Sequence, residues 1–305
     1  MITVRVPATS ANLGPGFDAL GLALGLYDEV EAELTGDRVQ VSVEGEGEGE
    51  LDLGEGHLVV RAMRKAFDRM GMEQPPGIRL HCRNRIPHAR GMGSSSAAIV
   101  AGVLAARALG PAGGSGPGGS FSDGEVFALA TEMEGHPDNV APCLAGRLTI
   151  SWTDHGGSPH MVKLTPHARI RPVVLIPSAR LSTEAARGLL PKEVPHKDAA
   201  FNAGRSALLI AALTLQPENS LLMAATEDRL HQNYRAPALA GSADLVERLR
   251  AVGVPAVVSG AGPTVLVFST PDTQDLIAPE VGNDWHIQQM DVDPDGANVQ
   301  FPETR

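Results

Sequence analysis

Apolar and polar residues alternate at 3–6 (TVRV) and 39–43 (VQVSV), the period of a strand with one face buried. Residues 20–34 are first continuously apolar and then alternating, which predicts a further strand ending near Glu33. At 57–70, Val59, Ala62, Met63, Ala66, Phe67 and Met70 recur at helical spacing, and 78–82 (IRLHC) return to alternation. Residues 97–109 predict a helix with small side chains on nearly every face, able to lie close against a sheet. Further helices are expected at 121–133, 140–144, 182–190, 197–215, 221–234 and 244–252, and strands at 148–152, 169–176, 255–259 and 264–269. Residues 44–50 alternate glycine and glutamate and read as a solvated turn. Residues 110–120 (GPAGGSGPGGS) read as a flexible surface loop inserted between helices. No repeat of fixed period is visible, and the mixture of strands and helices lacks regular βαβ alternation, which favours an α+β fold. The 305 residues suggest two domains, with the polar stretch 153–159 dividing 1–158 from 159–305.

Composition narrows the function classes. With 43% hydrophobic residues and a mean hydropathy of −0.04, the chain can bury a sizeable core. A net charge of −11 argues against a nucleic-acid partner, which needs a dense basic face, but leaves room for a local basic pocket around a small anion. The opening residues MITVRVP have no apolar signal core, and the longest apolar stretch, 97–106, is far below the roughly 18 residues of a spanning helix. No membrane partner and a cytoplasmic location are therefore expected. Cys82 and Cys143 have neither CxxC spacing nor a histidine cluster, so a disulfide scaffold or zinc site is not expected.

Four segments carry chemistry. Residues 87–96 (PHARGMGSSS) run directly into the predicted helix. Glycines let main-chain N–H groups turn towards an anion, and the helix N-terminus adds partial positive charge there. The segment is not a Walker A loop, because no Gly-Lys-Ser/Thr is present, and it reads equally as a glycine turn with a serine helix cap. Residues 132–139 (EMEGHPDN) gather carboxylates and an amide that can hold Mg²⁺ and orient a hydroxyl. They can also simply end one helix and cap the next through Asp138 or Asn139. His136 has no second histidine at ligand spacing and reads as a hydrogen-bonding loop residue. Residues 259–264 (SGAGPT) lie between two apolar strands as a tight hairpin would. Residues 7–18 (PATSANLGPGFD) are unusually polar for a segment so near a first strand, and otherwise read as a strand-to-strand loop.

Together these segments resemble the GHMP kinase superfamily, and most closely its homoserine kinase branch. Residues 181–187 (LSTEAAR) and 231–235 (HQNYR) fit the same branch, and the resemblance runs in order from Pro7 to Phe268. Met92 stands where leucine is usual, Thr264 where serine is common, and His57 near a position where the branch often has an asparagine connected with adenine contact. The resemblance implies an α+β, two-domain fold: an N-terminal domain like ribosomal protein S5 domain 2 and a ferredoxin-like C-terminal domain, with the active site between them. It implies ATP-dependent phosphorylation of L-homoserine to O-phospho-L-homoserine, a step towards threonine, with Mg²⁺ and a homodimer. Pro87, Arg90, Gly91, Met92, Gly93, Ser94, Ser95 and Ser96 are then expected at the nucleotide, and Ser95 with Glu134 on the metal, ahead of Glu132. Arg187 and Arg235 are expected on the homoserine carboxylate, and Asn12, Asp18, Asp138 and Asn139 around its amine and hydroxyl. Asp138, Asn139 and Thr183 fall near the reacting oxygen; whether Asp138 takes its proton is open. The neighbouring possibilities are another GHMP kinase, acting on a mevalonate-like substrate or shikimate, and an RNA-binding module suggested by the S5-like domain alone.

Overall fold

The first sheet is built from both ends of the chain in a computed structural model that describes residues 1–110, 115, 116 and 119–302. Its elements begin with β1 (Ile2–Ala11), β2 (Leu20–Thr35), β3 (Gln40–Gly45), α1 (Leu58–Arg69), β4 (Gly77–Asn84) and α2 (Ser94–Leu109). After a short antiparallel ladder, β5 (Ser115–Gly116) and β6 (Gly119–Ser120), come α3 (Asp123–Glu134), α4 (Val140–Ala145), β7 (Leu148–Thr153) and β8 (Pro159–Leu164). The rest of the expected loop at 110–120, residues 111–114, 117 and 118, lies outside the described residues.

Strand β2 serves two neighbours besides β1. Its apolar start, Leu20 to Leu22, pairs with β7, and its alternating end, Glu29 to Thr35, pairs with β4, against which β3 lies parallel. Burial follows the same division, being continuous from Leu20 to Leu24 and alternating after Asp28, which is why the sequence changes period midway. Helix α2 packs against α1 so closely that a Cβ on Gly102 would stand 2.5 Å from the Val59 carbonyl oxygen. Here the small-residue face has a definite purpose, close helix contact.

The second half contains β9 (Arg171–Pro177), α5 (Thr183–Gly188), α6 (His196–Thr214), α7 (Asn219–Ala225), α8 (Gln232–Arg235) and α9 (Ala240–Ala251). It continues through β10 (Ala256–Val258), β11 (Val265–Ser269) and β12 (Trp285–Gln289), and ends with β13 (Asn298–Gln300). The second sheet, in the order β10-β11-β9-β12, is antiparallel throughout. One face, with Val173, Leu175 and Val267, packs on Leu245 and Leu249 of α9. The other, with Val174, Ile176 and Phe268, joins Leu209 and Leu222 in a core continuous with that of the first sheet. Burial on both faces accounts for the unbroken apolar runs of β9 and β11.

Two expectations change. The division read at residue 158 falls inside the paired hairpin β7–β8, and the break between sheets lies at residues 165–170. The chain also returns, since β13 pairs with β1. The helix expected at 221–234 breaks after Ala225, because the Asp228 carboxylate accepts the N–H groups of Leu230, His231 and Gln232 and starts α8 afresh. Among the described residues, no helix is long and apolar enough to cross a membrane.

Candidate active site

The serines expected to cap a helix lie inside its first turn: α2 begins at Ser94, and its N-cap is Gly93 at φ 73°, without a side-chain cap. Gly91 is left-handed too, at φ 74°, and a Cβ there would meet the Ser259 carbonyl oxygen at 2.3 Å. A Cβ on Gly93 would stand 1.9 Å from Thr9 Oγ1. Glycine is thus required at both positions by backbone conformation and by crowding. The turn is held from two sides. Ser259 Oγ donates to the Gly91 carbonyl at 2.6 Å, the Thr264 N–H to the Arg90 carbonyl at 3.2 Å, and the Thr9 N–H to the Met92 carbonyl at 3.0 Å. The hairpin at 259–264 therefore clamps the loop that precedes α2, and residues 7–11, read as a possible loop, are the end of β1.

A cavity of about 240 Å³ opens beside this turn, walled by Asn12, Ser95, Glu134, Asp138, Arg187 and Arg235 among others. Its polar groups are mostly partnered with one another. Ser95 Oγ donates to Glu134 Oε2 at 2.8 Å, and Thr9 Oγ1 to Asn139 Oδ1 at 2.7 Å. Asn12 Nδ2 donates to the Gly260 carbonyl at 3.0 Å, and its Oδ1 accepts from the Asp18 N–H. Arg187, on α5, grips Asp18 with both terminal nitrogens, at 2.7 and 3.2 Å. Burial lowers the Arg187 pKa, but the Asp18 carboxylate outweighs it and the net shift is upward. Arg235, on α8, is 1% exposed; its Nη1 donates to the Gly260 carbonyl, and its Nε has no partner. Burial, and then the charge of Arg187, lower its pKa.

His136 Nδ1 lies 2.6 Å from Asp138 Oδ1, both on the cavity wall. Burial pulls the imidazole pKa down, yet the hydrogen bond and charge of Asp138 raise it above its usual value. His136 is thus a hydrogen-bonding loop residue, as expected, and its partner is the carboxylate two residues on.

Several expected residues turn elsewhere. Arg90 donates to the carbonyls of Pro177 and Ser178 and lies 3.5 Å from Glu46, so the second sheet holds its side chain away from the cavity. Pro87 lines, with Arg90 and Trp285, a hollow separate from this cavity. The side chains of Met92 and Ser96 are buried, in keeping with a loop that presents main chain rather than side chains. Glu132 pairs with Arg69 outside the cavity. Thr183 opens α5, and its side chain lies outside the described residues.

A second, largely apolar cavity of about 280 Å³ meets the first at Ser94 and Ser95. Val30, Leu51, Val59 and Ala101 line it, together with Asp28 and His57. His57 is 5% exposed with both ring nitrogens unpartnered, and burial lowers its pKa.

The family description "GHMP kinases N terminal domain" matches residues 57–147, and "GHMP kinases C terminal" matches 201–287. Over 298 residues the chain is 53% identical to the homoserine kinase of Streptomyces coelicolor, covering 98% of this chain and 94% of that one. It is 48% identical over 280 residues to the homoserine kinase of Mycobacterium tuberculosis, covering 91% and 87% of the two chains. The solved homoserine kinase of Cytophaga hutchinsonii superposes with a TM-score of 0.81 at 27% identity, covering 98% and 96%. The chain belongs to the GHMP kinases and, within them, to the homoserine kinase family. Its fold is the α+β, two-domain fold of that family.

Proposed function

We propose that the protein transfers the γ-phosphoryl group of ATP to the hydroxyl of L-homoserine, yielding O-phospho-L-homoserine for threonine biosynthesis. One observation carries the reading: main-chain donors at a helix N-terminus and two guanidinium groups face a single cavity. The first feature suits a polyphosphate, and the second suits a carboxylate. The Arg187–Asp18 pair is the seat of a zwitterion: the substrate carboxylate takes the place of Asp18 on Arg187, and its ammonium takes the place of Arg187 on Asp18. The unpartnered Nε edge of Arg235 completes the grip.

Phosphoryl transfer needs positioning and charge neutralisation more than covalent help. The substrate hydroxyl oxygen bonds to the γ-phosphorus while the bridge to the β-phosphate breaks, and ADP leaves. Asp138, held through Oδ1 by His136, orients the hydroxyl and takes its proton, and Asn139 lies on the same wall; by the family resemblance Thr183 belongs to the same step. The adjoining Ser95 Oγ and Glu134 carboxylate form a hard-oxygen pair at the phosphate end, which fits Mg²⁺. No cluster of three or more metal-ligating side chains occurs among the described residues, so phosphate oxygens and water would supply the remaining ligands. When bound, Mg²⁺ neutralises phosphate charge. The apolar cavity is the nucleobase seat. A homodimer in the cytoplasm, without nucleic-acid or membrane partners, belongs to the same proposal.

Mevalonate-like substrates and shikimate carry a carboxylate but no amine, and would leave Asp18 without a cation in exchange for Arg187. A coupled ADP-release assay over homoserine, an amino alcohol lacking the carboxylate, a hydroxy acid lacking the amine, mevalonate and shikimate tests the reading. Turnover that requires both charged groups supports it, and comparable turnover of the hydroxy acid refutes it.

A further inference from the structure

His231 is fully buried beside Arg235 and belongs to no step described above. Its Nε2 lies 2.7 Å from the carbonyl oxygen of Gly14, and its Nδ1 lies 3.2 Å from Arg235 Nη1. A carbonyl can only accept and a guanidinium can only donate. The two neighbours therefore demand one arrangement, a neutral imidazole with its proton on Nε2 and a lone pair on Nδ1. Asp228 Oδ2, 3.6 Å from Nε2, favours the proton on the same nitrogen. Burial holds the ring's pKa below its usual value, against the opposing pull of Asp228.

Arg235 Nη1 donates both to His231 Nδ1 and to the Gly260 carbonyl, at 3.2 and 3.3 Å, which uses both of its protons. The edge that carries Nε is left without a partner. Phe17 lies against the other side of this group: its ring stands 5.3 Å from the His231 ring and 5.4 Å from the Arg235 guanidinium carbon. We propose that His231 is a positioning residue that ties Arg235 to the turn at Gly14, fixing by its single tautomer which edge of the guanidinium faces the substrate carboxylate. The proposal rests on the reading of Arg235 as a carboxylate ligand.

Homoserine KM, ATP KM and kcat measured for wild type, His231→Phe, His231→Asn, Arg235→Ala and the Phe/Ala double variant test it. Phenylalanine keeps the ring volume and removes both polar contacts. It is expected to raise homoserine KM about tenfold, the scale of one lost charge-assisted hydrogen bond, with ATP KM unchanged. Asparagine, whose Oδ1 accepts near the position of Nδ1, recovers most of the loss. In the Arg235→Ala background His231→Phe adds nothing, because the group it positions is gone. An equal effect of His231→Phe with or without Arg235, or equal effects on both substrates, overturns the proposal. If Arg235→Ala itself leaves homoserine KM unchanged, the carboxylate reading fails first and the positioning role falls with it. If His231→Phe does not fold, nitrogen-15 NMR of histidine-labelled wild type, assigned with His231→Asn, reads the tautomer directly. A proton on Nε2 supports the proposal, and one on Nδ1 overturns it.

Discussion

The two cavities that meet at Ser94 and Ser95 solve opposite problems. In the polar one nearly every charge already has a partner: Arg187 has Asp18, Asp138 has His136, and Glu134 has Ser95. A ligand enters only by exchanging partners, which favours a molecule carrying both signs of charge. In the apolar one most of the accessible wall is aliphatic, and the ring nitrogens of His57 are buried without partners. There a ligand gains by offering a hydrogen-bonding edge inside an apolar body, since an unsatisfied buried group costs about 1–3 kcal/mol. On the proposed function, pre-paired charge selects the substrate in one cavity, and shape with a few unmet bonds serves in the other.

The strongest test of the contrast lies in the glycine turn that leads into the junction of the cavities. Gly91→Ala places a Cβ 2.3 Å from a main-chain oxygen of the clamping hairpin, at a left-handed φ, so the turn itself has to move. We expect kcat/KM for ATP to fall about 10³-fold, with a lowered Tm, because misplaced main-chain donors lose most of their stabilisation of transferring charge. Near-normal ATP kinetics would mean that the turn does not hold the phosphates.

Asp138→Asn comes next and keeps an oxygen available to His136. Loss of the proton acceptor is expected to lower kcat about 10²-fold, measured at saturating homoserine and ATP. Retention of most of kcat with a raised homoserine KM would assign Asp138 to binding alone. Arg187→Ala is smaller in kcat and sharper in selectivity: homoserine KM should rise about 30-fold and ATP KM less than about twofold. Equal effects on the two would break the exchange of partners proposed for Arg187 and Asp18. Thermal stability should scarcely move, since that pair is more than a third exposed on both sides.

How much of this was legible in the sequence depended on whether a signal was local. The glycine turn at 91–93 and the helix after it were legible because φ and main-chain donors are set by adjacent residues. The polar end of β1 was not, since Thr9 and Ser10 are buried by partners 130 and 249 positions away, Asn139 and Ser259. Arg90 falls in a motif but turns out of the cavity, because its partners, the carbonyls of Pro177 and Ser178, lie at and just past the end of β9 in the second sheet. His231 sits in a block that resembles the family's, yet the role proposed for it depends on Gly14 and Arg235 meeting in space. The motifs named residues that the fold gathers round one cavity, and left open which way each side chain points.

The smallest effect expected belongs to the buried carboxylate of the apolar cavity, Asp28. Asp28 Oδ1 accepts the N–H groups of Arg85 and Ile86 at 2.6 and 2.9 Å, yet burial outweighs those bonds, and its pKa is pushed up to about 6. A folded-state value above the unfolded one means that the native protein binds the extra proton. Stability from this group is therefore fully present below the unfolded value near 4 and is lost as pH rises through about 6. Asp28→Asn removes the titration, so the Tm of the variant minus that of wild type should grow between pH 4 and pH 7 by a few degrees, corresponding to at most about 3 kcal/mol. Taking the difference cancels the opposite trend of the paired surface carboxylates, such as Glu50 and Glu55, whose pKa values hydrogen bonds from Arg180 and Arg64 lower. A difference that stays flat across that window would mean that Asp28 is solvated or paired, and the second cavity would no longer be the mainly apolar counterpart of the first.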